Sequence, residues 1–510
     1  SPLHGFVTLD SQLETSHMNE IRFVDTTLRD GPQSLWAQSM TTGMILPITS
    51  QIDRAGFEAI EIIATTFFKK CVRELREDPW ERLRLVSQGI KQTPLRAIRN
   101  RQMAAFHITP RSLSRLWLKR LAAYGVREMR ISDPSNTVSC LHEQVRDARS
   151  AGLEAIANLI FSVSPKHTDE YYGRITRAAA RMNVAALCLK DPGGLLTPER
   201  TRTLVPVVLQ NSKGKPVEFH THCTLGLGAL CTLEAIKLGI KTVDTAIPPL
   251  ADASSNPSIF NVATNARALG YAPIMDEESI RAVAEHFSSV AKREGLPAGC
   301  PVEYDHYQFI HQVPGGMISN LRHQLAKLGK EDHIGEVLEE TGRVRAEFGY
   351  PIMVTPYSQF VGTQAAMNVI LGERYKAVTD EVIQYALGLW GEEECTSMEP
   401  NVRDRILSRP RARELAGWEP PQSTLKEIRR KLAGPGISDD DLLLRYFTGE
   451  DDVAAMRAAA PQKESFSSSQ PLATLIREMA KGTSYNHIRV QRGEVSITLE
   501  KRMKQDRTPS

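Results

Sequence analysis

The 510-residue chain is 41% hydrophobic and 24% charged, a globular composition long enough for two or three domains. A formal charge of +3 is too small at this length to point to nucleic acid, and no basic tract is interleaved with aromatics. No apolar run approaches the roughly 20 residues of a membrane span. Seven cysteines, an odd number with no Cys-x-x-Cys, argue against a disulfide framework and for a reducing, cytoplasmic compartment.

Residues 1–18 lack periodicity, and Ser16-His17-Met18 reads as a vector-derived junction or the end of a disordered arm, so they are set apart from the fold. The first strand then runs into Val24-Asp25-Thr26-Thr27-Leu28-Arg29-Asp30-Gly31-Pro32-Gln33-Ser34, where Gly and Pro are expected to stop it and open a loop. Met44, Ile48 and Ile52 follow at helical spacing, with Gly56 as a C-cap, before the apolar run Phe57 to Ile63. The same grammar repeats. Strands are expected at Leu95 to Arg99, Val126 to Ser132, Leu153 to Phe161, Val184 to Lys190, Pro216 to His222 and Ile240 to Ile247, with amphipathic segments between them. About eight strand–helix units between Ile21 and Leu269 predict an α/β fold, a (β/α)₈ TIM barrel over residues 19–275. A doubly wound open sheet is the alternative. No Gly-x-Gly-x-x-Gly follows a strand, however, and polar residues sit at the carboxyl ends of several strands, which share one mouth in a barrel.

From residue 276 to 462 the pattern turns helical: Glu277 to Arg293, Ile318 to Leu328, Ile334 to Arg345, Thr363 to Leu371 and Asp380 to Leu389. This predicts a mainly α-helical second domain that completes the active-site funnel. Residues 463–510 read as a Ser-rich linker, Lys463 to Gln470, and a small β tail around Gly493.

The strand ends carry chemistry. His220 and His222 are two apart on a strand, so both face the same side, which near a barrel strand's end is the interior mouth. Neutral imidazoles there are half a metal site; the plain alternative is a pair of buried, hydrogen-bonded histidines. Asp30 adds an oxygen ligand, unless it only caps a loop or pairs with Arg29. Lys190 is the odd member, because an ammonium repels a metal, and it could simply pair with Asp191. A desolvated lysine loses its proton readily, and the neutral amine can take up carbon dioxide as a carbamate, an anionic ligand.

Asp25 to Ser34, Leu189-Lys190-Asp191 and His220-Thr221-His222 together resemble the carboxyltransferase subunits and domains of biotin-dependent enzymes, those of transcarboxylase, oxaloacetate decarboxylase and pyruvate carboxylase. Glu77 to Leu83, Ser164 to Thr168, Val243 to Ala246, Val313 to Met317 and Thr355 to Gln364 match in the same order, over roughly residues 20 to 450. The resemblance implies that Asp30, His220, His222 and a carbamylated Lys190 hold a divalent metal, zinc foremost, with manganese or cobalt as alternatives. It makes Arg29, Gln33 and Arg99 candidates for binding a 2-oxo acid and its enolate. It also implies a hydroxyl that shuttles a proton between biotin and substrate, for which Ser254 is the nearest candidate, with Ser255 beside it. The implied partners are a biotin carboxyl carrier protein, a biotin carboxylase subunit and a second copy of the chain.

Two departures bear on the acceptor. Pyruvate-using relatives carry Ala-His where this chain has Gly31-Pro32, and a Trp-Gly-Gly loop where it reads Ile63-Ala64-Thr65-Thr66-Phe67-Phe68. A changed acceptor, bulkier or more apolar than pyruvate, is the expectation. No Met-Lys-Met biotinylation sequence is present, and Arg502-Met503-Lys504-Gln505 lacks its neighbours, so biotin is expected on another polypeptide. The alternatives are a biotin-independent 2-oxo acid decarboxylase or aldolase-type lyase on the same metal site, and a non-catalytic scaffold subunit of a carboxylase complex.

Overall fold

The computed structural model describes residues 19–101, 109–314, 329–391, 395–417, 422–432, 436–459, 487–492 and 495–500, together with 318, 321–322 and 325–327. Eight strands follow one another: β1 (Glu20–Asp25), β2 (Ala59–Ala64), β3 (Leu95–Asn100), β4 (Val126–Ser132), β5 (Glu154–Ile160), β6 (Ala186–Asp191), β7 (Val217–Thr221) and β8 (Thr242–Thr245). Each pairs in parallel with the next, and β1 pairs with both β8 and β2, so the sheet closes into a barrel. The predicted strands are all present.

Alternation along each strand splits its residues between two environments. The outward set, Phe23, Ile60, Leu95, Met129, Leu159, Leu187, Phe219 and Val243 among them, packs under the surrounding helices in one large apolar core. Much of the inward set is polar. Arg96 bridges to Glu218 by two hydrogen bonds of 2.7 and 2.8 Å, and Arg130 binds Glu61 at 2.9 Å as well as Asp244 and Glu218. Inside the barrel, a small apolar cluster of Ile156, Ala186 and Cys188 lies apart from that outer core. This barrel is filled by ion pairs where stacked aliphatic layers are usual.

The opening motif departs from the loop expected of it. β1 ends at Asp25, and Asp30–Leu35 forms a short helix. Pro32 is tolerated because it sits in the first turn, where its missing N–H would have no partner. Gly31 is required by a close approach: a Cβ there would lie 2.9 Å from Leu250 Cβ and 3.0 Å from its carbonyl oxygen.

Beyond β8 the described residues are mainly helical, including Glu277–Glu294, Ile334–Glu347, Tyr357–Ile370 and Asp380–Ala386. A second apolar core joins Val337, Val344, Phe348, Tyr357, Phe360 and Tyr385. The helices Leu425–Leu432, Asp439–Thr448 and Glu450–Ala458 instead return to the barrel's flank, where Ile428, Leu442, Leu443, Val453 and Met456 enter the first core. Arg120 and Tyr124 clasp Asp440, and Arg73 reaches Asp452 at 2.5 Å. His487–Arg492 and Val495–Glu500 pair antiparallel, as the tail pattern predicts. The segment 1–18, the linker 463–470 and the tail residues 502–505 lie outside the described residues. Every described cysteine is a free thiol. Among the described residues no helix is long and apolar enough to cross a membrane.

Candidate active site

At the carboxyl ends of the strands the mouth encloses a cavity of about 230 Å³. Asp30, His220 and His222 meet there, all buried, with one potential ligand atom from each within 4.8 Å of the others. Lys190 Nζ lies 3.2 Å from His220 Nε2 and 3.9 Å from Asp30 Oδ2. The four residues expected to hold a metal therefore come together from β6, β7, the residue after β7 and the helix after β1.

The histidines are prepared as ligands by what holds their other nitrogens. His220 Nδ1 is 2.6 Å from Asp244 Oδ2, and His222 Nδ1 is 2.6 Å from the Ser254 carbonyl oxygen. A carbonyl only accepts, so His222 donates from Nδ1, which leaves Nε2 as the nitrogen that faces the mouth. The Asp244 carboxylate gives His220 the same tautomer. Both Nε2 atoms face Asp30 Oδ2, at 3.5 and 3.4 Å. Burial, aided by the neighbouring Lys190, pushes the His220 pKa down to about 3, so the ring is neutral. Burial alone would raise the Asp30 pKa, but Arg29, His222 and Lys190 outweigh it and hold the carboxyl well below its usual range. Burial also lowers the Lys190 pKa, against the pull of Asp30, which is the direction carbamylation requires. A carboxylate, two imidazoles and an amine shifted toward its neutral form fit a divalent cation of the zinc, manganese or cobalt kind.

Arg29 is clamped from below: Nε donates to Glu61 at 2.8 Å and Nη2 to Asp30 at 2.8 Å, while Nη1 has no partner among the described residues. Arg29, Gln33 and Ser254 all line the cavity. Ser254 Oγ donates to the Ser34 carbonyl at 2.9 Å, whereas the Ser255 hydroxyl is buried away from the cavity with no partner among the described residues.

Arg99 is not brought to the mouth, and the expectation that it meets substrate is corrected. On β3 the residues facing the cavity are Ile98 and Asn100, so strand parity turns Arg99 outward. It is buried; burial lowers its pKa to about 10, while Asp147 and Glu143 of the helix Val138–Ser150 pull the other way. Asn100, Thr65, Ser132 and the supporting network of Asp244, Arg130, Glu61 and Glu218 were not singled out from sequence. The signal that could have found the network is the set of charged strand positions Glu61, Arg96, Arg130, Glu218 and Asp244, all in phase with the inward face. Asn256 is a further missed member: it accepts from Thr26 Oγ1 at 2.8 Å and donates to the Thr221 carbonyl at 2.9 Å, joining β7 to the loop after β1.

An inward metal-ligand set at the carboxyl-end mouth of a closed parallel barrel defines a TIM-barrel enzyme class, and comparison with known proteins narrows it. Residues 20–286 match the HMGL-like family model, and residues 309–498 match the model described as a conserved carboxylase domain. A pyruvate carboxylase subunit of Methanocaldococcus jannaschii is 33% identical over 431 residues, covering 83% of this chain and 75% of that protein. The 2-oxoglutarate carboxylase large subunit of Hydrogenobacter thermophilus is 30% identical, covering 82% and 61% respectively. The methylmalonyl-CoA carboxyltransferase 5S subunit of Propionibacterium freudenreichii is 29% identical, covering 88% of both chains. The carboxyl transferase domain of Rhizobium etli pyruvate carboxylase, solved with pyruvate and biocytin, shares the fold with a TM-score of 0.77 at 23% identity, over 88% of this chain and 82% of that one. The chain belongs to the carboxyltransferase family of biotin-dependent carboxylases.

Proposed function

We propose that the protein is the metal-dependent carboxyltransferase subunit of a biotin-dependent carboxylase or decarboxylase, moving carbon dioxide between carboxybiotin and a 2-oxo acid through an enolate. The observation that carries this reading is the convergence of Asp30, Lys190, His220 and His222 at the mouth, with both histidines offering Nε2 inward. A divalent cation held by Asp30, His220, His222 and carbamylated Lys190 would polarise the acceptor's carbonyl and stabilise the developing oxyanion. Biotin would bring the carboxyl group on a separate carrier protein.

The chain's own residues do the remainder. Arg29 receives the acceptor's carboxylate through its uncommitted Nη1, with Gln33 beside it on the next turn of the same short helix. Glu61 and Asp30 keep that guanidinium in place, so little rotamer freedom is lost on binding. The Ser254 hydroxyl relays the proton from the acceptor's carbon to the biotin ring nitrogen. Reversing these steps gives decarboxylation at the same site.

We read residues 19–275 as the catalytic barrel and 276–462 as a mainly helical domain completing the funnel, since Pro314, Met353, Val354 and Thr355 line the mouth. A biotin carboxyl carrier protein, a biotin carboxylase subunit and a second copy of the chain complete the assembly, in the cytoplasm. The test is transfer of labelled carbon from a carboxylated biotinyl carrier to a panel of 2-oxo acids. Transfer abolished by avidin is expected. Avidin-resistant decarboxylation would assign a biotin-independent lyase instead, and a chain that binds neither metal nor acid would be a scaffold.

A further inference from the structure

The mouth holds an uneven set of polar groups. Arg29 and Lys190 are the cations that line it among the described residues. Lys190 is committed to the His220 and Asp30 cluster, and Arg29, tied to Glu61 and Asp30, offers only Nη1, which the acceptor's first carboxylate takes. Arg101, just past β3, turns aside to bind both oxygens of Asp133, at 2.8 and 2.7 Å, and the Trp390 carbonyl. Residues 102–108, Gln-Met-Ala-Ala-Phe-His-Ile, contain no lysine or arginine.

Facing the same cavity are Gln33, Thr65, Asn100, Ser132, Thr224 and Thr355. Among the described residues, none of these six side chains has a hydrogen-bond partner, although Thr65 and Ser132 are buried. Buried polar groups normally find partners within the protein, and those that do not are free to meet a ligand. Asn100 is the bulkiest of them on the barrel wall, and it occupies the β3 end where an arginine was expected.

We infer that the acceptor is a 2-oxo acid with one carboxylate and an uncharged, hydrogen-bonding substituent, and that Asn100 reads that substituent. This rests on the reading that a 2-oxo acid binds at this mouth. A further carboxylate carried by that substituent, beyond the one the reaction itself installs, would be stripped of water at the Asn100 wall with no free cation among the described residues to receive it. A purely aliphatic substituent would leave the amide and hydroxyls of the wall unpaired. The neutral wall also revises the expectation of a more apolar acceptor drawn from the Ile63 to Phe68 loop, which presents Thr65 and Thr66 to the cavity.

Binding calorimetry on the full chain supplemented with Mn²⁺ tests this without any biotin. 3-Hydroxypyruvate is expected to bind at least about tenfold tighter than 2-oxoglutarate, and also tighter than 2-oxobutyrate. Asn100→Arg should shift the preference toward 2-oxoglutarate by about tenfold, through a new ion pair. Asn100→Ala, which only shortens a cavity-facing side chain, should erase the advantage of 3-hydroxypyruvate over 2-oxobutyrate. If 2-oxoglutarate binds the unaltered chain as tightly as 3-hydroxypyruvate, or if neither variant changes the order, the inference is overturned. Failure of every acid to bind would remove the acceptor reading along with it. Ordered binding without carboxyl transfer would remove only the biotin step and leave the role of Asn100 standing.

Discussion

His220 presents Nε2 to the mouth because Asp244 occupies its Nδ1, and Asp244 is in turn gripped by Arg130. Burial would raise the Asp244 pKa, but Arg130 and His220 draw it far below the usual range, so it stays an anion and fixes the tautomer. Asp244→Asn should weaken divalent-metal affinity about 10- to 100-fold, as measured by chelator competition. His167 supplies a pH prediction away from the ligands. Burial, with the charges of Arg345 and Lys166, lowers its pKa to about 3. Its unfolded form takes up a proton near pH 6.5 while the folded form does not, so its share of stability is present at neutral pH. That share is lost as pH falls from about 6.5 toward 3. Between pH 7 and pH 5 the unaltered protein should lose about 2 kcal/mol more than His167→Gln, read from urea melts. At this scale the ligand residues were legible because His-x-His on a strand and an Arg-Asp pair at a strand end are local patterns. Asn100 was not, because choosing it over Arg99 needed the phase of β3, and a run of six residues carrying arginines on both faces does not declare its phase.

The strands were readable as elements from β-branched runs between amphipathic segments, since period and length are both written locally. What fills the barrel was not. Glu61, Arg130, Glu218 and Asp244 come from four strands, and their pairing depends on closure of the sheet. The helix Asp30–Leu35 was hidden for a different reason: Gly31 and Pro32 usually end elements, but here one permits contact with Leu250 and the other sits in a first turn. A fully buried charge is costly unless its partners stay in place. Arg130→Met should therefore destabilise the protein by about 3–5 kcal/mol, by leaving three carboxylates without their shared cation. Denaturant titration checks this, and a matched loss of bound metal is expected, since Asp244 would be freed from its clamp.

At the scale of the whole molecule, sequence periodicity marked helices beyond residue 276 but not the surfaces they cover. The helices Asp439–Thr448 and Glu450–Ala458 cross back to the barrel, burying Leu442, Leu443 and Leu444 within its outer core. Helical amphipathicity reports that a face is covered and is silent on the partner, which here lies more than 300 positions earlier, as in the 320 that separate Arg120 from Asp440. Leu443→Ala should cost about 2–5 kcal/mol. Limited proteolysis should then cut first within 425–458, because loss of that contact frees the strap before the barrel opens.

That strap also sets a timetable for biosynthesis. The flank made by the helices Phe67–Arg73 and Arg111–Ala123 emerges from the ribosome long before its cover at 439–458 is translated. At about 5–20 residues per second, the nascent barrel waits tens of seconds with an oily side uncovered. Chaperone occupancy during that interval should be longest on ribosomes stalled between the end of β8 and residue 458, and should fall once the last turn of Glu450–Ala458 clears the exit tunnel.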